Sequence, residues 1–214
     1  MDAVTRVVFD RSNPRSLSAR ARTRRWNEMA GRFPDLPAMR VLDLGGTPEF
    51  WRNAPVTPAD VTIVNLLDDA ADEPWLTTIK GDACTTAWLE GTYDLVISNS
   101  LLEHVGGMQR RRQFADVVHA ASERWWIQTP YRYFPIEPHW LCPGFQFLPL
   151  AAKVAVTRRW PIGHRHEPDP EIAYEYATEV DLVTITELRH LFPEGEVWRE
   201  RMAGLVKSIT AIRT

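Results

Sequence analysis

Apolar positions along the chain gather into short runs separated by longer segments with a helical period. MRVLDL at 39–44, VTIVNL at 61–66, residues 76–80, YDLVISNS at 93–100 and RWWIQT at 124–129 read as five strands. The fourth is nearly all apolar, as a parallel strand buried on both faces requires. Between them, 15–32 (RSLSARARTRRWNEMAGR) predicts an Arg-rich helix ending near Gly31, linked onward by Pro34 and Pro37. A short helix starts at Pro48, DACTTAWLEG is a short helix or loop, and 108–122 predicts a long helix. That helix places Phe114, Val117, Val118 and Ala121 on one face.

The rhythm breaks at 130–170, where eight prolines alternate with aromatics and exclude a regular element throughout. Long ordered loops of this kind are usually functional. Helical stretches at about 171–180 and 186–191 follow, and EVWRERM and GLVKSITAIR close the chain as two strands with a tight link. Strand–helix alternation predicts an α/β fold, a mostly parallel seven-stranded sheet with helices on both faces, and the tight final pair makes one C-terminal strand antiparallel. A length of 214 residues fits a single domain over 1–214. Within it we distinguish an N-terminal helical cap (1–37), a ligand-binding core (38–130), a Pro/aromatic-rich substrate loop (131–170) and C-terminal helices with the strand pair (171–214).

Charge excludes more than it identifies. The net charge of −3 argues against nucleic-acid and membrane-surface partners, although residues 1–32 alone carry +5. Arg outnumbers Lys 22 to 3. Cys84 and Cys142 have no metal-like spacing and form no disulfide framework, so they read as free thiols in a reducing compartment. No apolar stretch approaches the roughly 18 residues a bilayer span needs, and the N-terminus lacks a signal-peptide core. A cytoplasmic location is the expectation, with a homodimer expected only from general frequency.

The candidate chemistry begins at VLDLGGTPEFW, 41–51. A strand runs into Asp43-Leu44-Gly45-Gly46, and a helix follows with Thr47 as N-cap, Pro48 in its first position and Glu49 next. A dinucleotide would put its pyrophosphate on that helix start. Glu49 already complements the helix dipole there and would repel a phosphate, and Asp43 adds a second negative charge. The turn therefore favours a ligand cationic at this point, while Gly45 and Gly46 let it approach the backbone. S-adenosylmethionine, with a sulfonium, an α-ammonium group and no phosphate, fits that description.

The chain resembles the class I S-adenosylmethionine-dependent methyltransferases nearly end to end. Asp43-Leu44-Gly45 stands where that family has its acidic–x–Gly motif, and Gly46, Thr47 and Leu66 border the same cofactor position. Asn65 replaces the acidic residue that usually holds the ribose, with Asp68 or Asp69 as alternatives. GDA at 81–83 matches the segment whose Asp (Asp82) and following N–H (Ala83) read adenine, and in ISNSLLEHVG at 97–106 the resemblance puts Asn99 and Ser100 along the methionine moiety. It implies a Rossmann-like fold. PYRYFPIEPHWLCPGFQFLP at 130–149 and ELRHLFPEGEVWRERMAGLVKS at 187–208 are similar to a bacterial branch that includes actinobacterial sugar O-methyltransferases of methylmannose and methylglucose polysaccharides. That branch implies an acceptor hydroxyl on a sugar, or on another small molecule or oligosaccharide.

Methyl transfer from a sulfonium needs alignment more than acid catalysis, since the leaving group is a neutral thioether. An alcohol is the exception, because a positioned base must take its proton. Of six His, His119 and His190 lie in helices and read as structural or solvated. His139 in IEPHW is the expected base, with Glu137 orienting it or binding a substrate hydroxyl, and His104 at the cofactor edge shapes the pocket. Tyr131, Arg132, Tyr133 and Trp140 are the expected sugar platform, alongside Phe134, Phe145 and Phe147, and His164 is a further substrate contact. The group His164, His166, Glu167 and Asp169 offers N and O donors for a divalent ion such as Mg²⁺ but lacks a distant fourth ligand; a solvated turn is the simpler reading. Three alternatives stay open: a lipid or quinone methyltransferase, a non-catalytic binding module on the same fold, and a nicotinamide-dependent oxidoreductase. The missing third glycine and Glu49 oppose the last of these. The Asn/Asp-Pro-Pro-aromatic signature of amino-methylating nucleic-acid enzymes is replaced here by Asn99-Ser100-Leu101-Leu102.

Overall fold

The computed structural model describes residues 17–67, 69–162 and 165–214. Helix α1 (Leu17–Arg32) precedes β1 (Arg40–Leu44), α2 (Pro48–Arg52), β2 (Asp60–Asn65), β3 (Leu76–Lys80), β4 (Leu95–Asn99), α3 (Met108–Ala121) and β5 (Trp125–Pro130). A small hairpin, β6 (Ile136–Glu137) and β7 (Cys142–Pro143), leads to α4 (Leu150–Arg159), α5 (Pro170–Glu179), α6 (Ile185–Leu191), β8 (Glu196–Met202) and β9 (Leu205–Arg213).

Seven strands form one sheet in the order β3-β2-β1-β4-β5-β9-β8. Pairings from β3 through β5 are parallel, and β9 runs antiparallel to both β5 and β8. The expected architecture, with one antiparallel strand at the C-terminus, is therefore present. From β1 the chain moves outward to β3 and then crosses back to β4 on the other side of β1. The carboxyl ends of β1 and β4 thus frame a topological switch point, where open α/β sheets bind ligands.

Both faces of the sheet are buried, which explains the apolar strands. On one side α1 packs Trp26, Met29 and Phe33 against Trp51, Ile97 and Trp126. On the other, α3 buries Phe114, Val117, Val118 and Ala121 with Leu188 and Phe192, so the face expected for α3 is the one it buries. The arginines of α1 are largely engaged: Arg32 pairs with Glu28 and Glu196, and Arg25 with Glu200, fastening the helix to β8. No described helix is long and apolar enough to cross a membrane.

The Pro-rich stretch corrects one expectation. Residues 150–160 are free of proline, and Pro149 at the N-cap starts α4, a regular helix of ten residues. Prolines at both ends delimit this helix instead of excluding it. Beneath the loop, Trp140, Cys142, Phe145, Val180 and Leu182 make a separate small core. Helix α6 opens with a reciprocal capping box between Thr184 and Glu187. Thr184→Ala is expected to cost about 1 kcal/mol, read as a lowered denaturant midpoint with an unchanged slope.

Candidate functional site

The glycine turn follows directly from β1. Gly45 has φ of +79°, and a Cβ there would lie 2.8 Å from Leu101 Cδ1. At Gly46 a Cβ would fall 1.9 Å from Asp43 Oδ2, because the Asp43 carboxylate folds beneath the turn. Only glycine fits there while that carboxylate keeps its place. Trp51 Nε1 donates to Asp43 Oδ2 at 2.7 Å, so Asp43 pins α2 to the end of β1. Thr47 caps α2, its side chain accepting from Phe50 N, and Glu49 is exposed in the first turn.

Burial pushes the Asp43 carboxyl up to about 7, the Trp51 bond opposing the shift. The turn's negative charge near neutral pH thus rests more on Glu49 than the sequence suggested. The linkage has a definite sign. A carboxyl raised from 3.8 to about 7 contributes stability that is fully present below the lower value and lost as pH rises through the upper one. Relative to Asp43→Asn, the native chain should lose about 1 kcal/mol of unfolding free energy between roughly pH 6 and 7.5. Denaturant titrations of both proteins at the two pH values check this.

The other proposed cofactor contacts surround the same crevice. Asn65 Nδ2 donates to Gly46 O at 2.9 Å, and its Oδ1 accepts from Leu67 N at 3.2 Å. This side chain ties β2 to the glycine turn, with both amide functions engaged. Leu66 and Asp69 are exposed beside it; Asp68 lies outside the described residues. Asp82 accepts from Cys84 N at 2.9 Å and receives Arg110 NH2 on both oxygens, at 2.8 and 2.7 Å, with Ala83 buried next to it. Asn99 ends β4, and Ser100 is held at φ of +58°, in the left-handed region that residues other than glycine seldom adopt. Ser100 N donates to Gln128 O at 2.9 Å, while Gln128 Oε1 accepts from Arg25 at 3.0 Å. Arg25 and Gln128 reach the crevice without having been singled out in the sequence. Trp26 faces inward, stacked on Phe50 at 5.2 Å.

From Ser100 the chain passes Glu103 and His104, which meet the β6–β7 hairpin above the carboxyl ends of β4 and β5. Glu137, almost fully buried, fixes the hairpin: its Oε2 accepts from His139 N at 2.7 Å and Trp140 N at 2.9 Å. Its Oε1 lies 2.7 Å from His139 Nδ1. His139 Nε2 then points at His104 Nε2, 3.1 Å away. On the far side, Glu179 Oε1 stands 3.5 Å from His104 Nδ1. Glu103 is fully buried, accepts from the Thr129 hydroxyl at 2.8 Å, and is pushed up to about 7 by desolvation. Burial also lowers the His104 pKa, as does its neighbour His139. The structure thus brings the Glu137–His139 pair against His104, 35 residues earlier in the chain, and places Glu103 and Glu179 beside them.

The expected substrate residues divide. Tyr131, Tyr133 and Phe147 form a connected aromatic surface, with Tyr133 stacked on Phe147 at 6.0 Å and both well exposed. Arg132 pairs with Asp181 at 2.9 Å at its border. Trp140 is a correction: it is buried, stacked on Phe145 at 4.0 Å, with Nε1 donating to Thr157 at 2.9 Å, so it builds the small core and offers no face to a ligand. His164 lies outside the described residues. Of its supposed ion-binding companions, Glu167 accepts from Asp169 N and Asp169 caps α5, which are turn-forming roles. His119, against Trp125 and Leu191 O, is structural as expected. Cys84 and Cys142 are free and buried.

Solved structures share this architecture at low identity. The N-methyltransferase NodS from Bradyrhizobium japonicum matches with a TM-score of 0.54 at 11% identity, over 90% of this chain and 95% of that one. Magnesium protoporphyrin IX methyltransferase from Synechocystis, solved with bound S-adenosylhomocysteine, gives a TM-score of 0.56 at 11% identity, over 100% and 88%. The fold is that of the class I methyltransferases. A Rhodobacter sphaeroides chain described as a Zn-dependent alcohol dehydrogenase gives a TM-score of 0.61 at 15% identity, over 88% and 87%. At such identities the likeness is one of fold alone, and it leaves the chemistry to the site. No protein-family model and no curated protein sequence matches the chain.

Proposed function

We propose that this protein is an S-adenosylmethionine-dependent O-methyltransferase, with a sugar or oligosaccharide hydroxyl as the acceptor. The observation that carries the reading is the Glu137–His139–His104 array standing beside the glycine-turn crevice at the switch point of the sheet. The crevice supplies the cofactor position: Gly45 and Gly46 admit close approach, Glu49 disfavours phosphate, and Asp82 with Ala83 bounds the adenine end. Asn99 and Ser100 bound the methionine end, and Arg25 lines the same cleft as Asn99.

The acceptor oxygen attacks the methyl carbon in line with the carbon–sulfur bond. That bond breaks with its electron pair going to sulfur, leaving S-adenosylhomocysteine. The hydroxyl proton passes to His139 Nε2, and Glu137 at Nδ1 stabilises the imidazolium that forms. The exposed Tyr131–Tyr133–Phe147 surface suits the apolar face of a sugar ring, with Arg132 and the phenols as polar contacts. A second reading, a lipid or quinone acceptor, draws on the same rim, where Ile136 and Leu150 are also exposed.

Calorimetric binding of S-adenosylmethionine, S-adenosylhomocysteine and NAD tests the class. Binding of the first two alone is expected, followed by methyl transfer to mannose- or glucose-based oligosaccharides. Preference for NAD would overturn the reading, and transfer only to quinones or lipids would move it to the second acceptor class.

A further inference from the structure

The two imidazoles of the array meet through their Nε2 atoms. His139 has a carboxylate at Nδ1, Glu137 at 2.7 Å, whereas the buried His104 Nδ1 makes no hydrogen bond among the described residues, with Glu179 3.5 Å away. A carboxylate at Nδ1 favours the proton on that nitrogen and leaves Nε2 as a lone pair. That lone pair of His139 faces His104 Nε2 across 3.1 Å, a gap that a proton on His104 or a shared cation can fill.

A third donor converges on the same point. Glu103 is fully buried, its Oε1 has no hydrogen-bond partner among the described residues, and one ligand atom each from Glu103, His104 and His139 lies within 4.8 Å of the others. An unpaired buried carboxylate oxygen is costly unless something cationic meets it. The spacing also suits an ion. Two imidazole nitrogens at about 2.0–2.1 Å from a tetrahedral zinc lie about 3.3–3.4 Å apart, so the observed gap needs only a small opening.

The geometry points to a divalent transition-metal site formed by Glu103, His104 and His139, with Glu137 orienting the His139 imidazole. Two imidazoles and one carboxylate suit zinc, iron or cobalt better than magnesium, which prefers oxygen ligands. The Glu137–His139 pair is the outer support that metal-bound imidazoles usually have. Three protein ligands leave coordination open on the crevice side, where an acceptor hydroxyl could be polarised. That use of the ion rests on the methyl-transfer reading, whereas the binding of the ion does not. A bound ion would also make His139 Nε2 a ligand in place of a proton acceptor.

The test is metal binding by the full chain, independent of turnover. Protein stripped with a chelator and dialysed is titrated with Co²⁺ and with Zn²⁺, reading the visible cobalt bands and the retained metal by elemental analysis. One ion per chain is expected, with His104→Ala and His139→Ala abolishing the cobalt bands. Glu137→Gln, which keeps the ligands, is expected to weaken binding by about 10–100-fold. Native protein that retains well under one equivalent, or His104→Ala/His139→Ala protein that binds as the native does, would overturn the site. Binding of S-adenosylhomocysteine is measured on the same samples. Cofactor bound without metal removes this proposal alone, and metal bound without cofactor removes the methyl-transfer reading alone.

Discussion

His139→Ala is expected to lower turnover by about 10²–10⁴-fold while leaving the affinity for S-adenosylhomocysteine within a few-fold of native. The split follows from position. His139 sits on the β6–β7 hairpin, whereas the proposed cofactor contacts come from the ends of β1 to β4, a different part of the chain. Its backbone N–H and ring both bond to Glu137, which also holds Trp140 N, so removing the imidazole leaves the hairpin itself anchored. Single-turnover rates with saturating cofactor, measured beside calorimetric cofactor affinity, separate the two quantities. Unchanged turnover removes His139 from the mechanism. Equal loss of turnover and cofactor affinity would mean that the crevice depends on the hairpin more than the contacts indicate. Glu137→Gln should give a smaller loss in turnover, since the imidazole stays but loses the carboxylate that stabilises its charged form.

The fold was legible because its signals are local and repeated. Five apolar runs separated by helical or loop segments, a glycine turn after the first and a tight pair at the end point to a mostly parallel sheet with one antiparallel strand, while the strand order comes from the structure. Helix α4 was hidden because proline density over 130–170 was read as uniform, when Pro149 and Pro161 in fact flank a proline-free window. The site was legible by halves. Asp43, Gly45, Asn65 and Asp82 lie at or just beyond the carboxyl ends of β1, β2 and β3, and their side chains make contacts that spacing does not reveal. Asp43 turns under the glycines to Trp51, Asn65 bonds the turn's own backbone, and Asp82 is taken up by Arg110. Trp140 illustrates the limit for aromatics: Tyr133, Phe147 and Trp140 look alike in sequence, and only packing decides that two are exposed and one is core. Glu103 was passed over since a Glu beside a His in a loop carries no periodic signal. Its meaning comes from Thr129, His104 and His139 closing around it.

Gly46→Ala should be among the most damaging small substitutions in the chain, costing roughly 3–6 kcal/mol, the sum of overpacking a fixed core and losing a hydrogen bond to an ionisable group. The added Cβ would stand 1.9 Å from Asp43 Oδ2 and 2.3 Å from its Cγ, inside the carboxylate itself. Asp43 is almost fully buried and bonded to Trp51, so it has nowhere to swing without leaving both a carboxylate and an indole N–H unpaired. The clash is with one side chain, which makes it separable. Asp43→Ala alone removes the Trp51 bond and opens a small void; combined with Gly46→Ala, it removes the obstacle and the new methyl group partly fills that void. The double variant should therefore be more stable than the sum of the single losses by an amount at the upper end of the roughly 0.5–3 kcal/mol seen for residues in contact. Denaturant titration of all four proteins measures the coupling. Additive losses would mean that Gly46 is required for the backbone path of the turn and not for the carboxylate beneath it. Cofactor calorimetry on the double variant carries the result to function: restored folding without restored binding would mean that the buried carboxylate matters to the cofactor and not only to the turn.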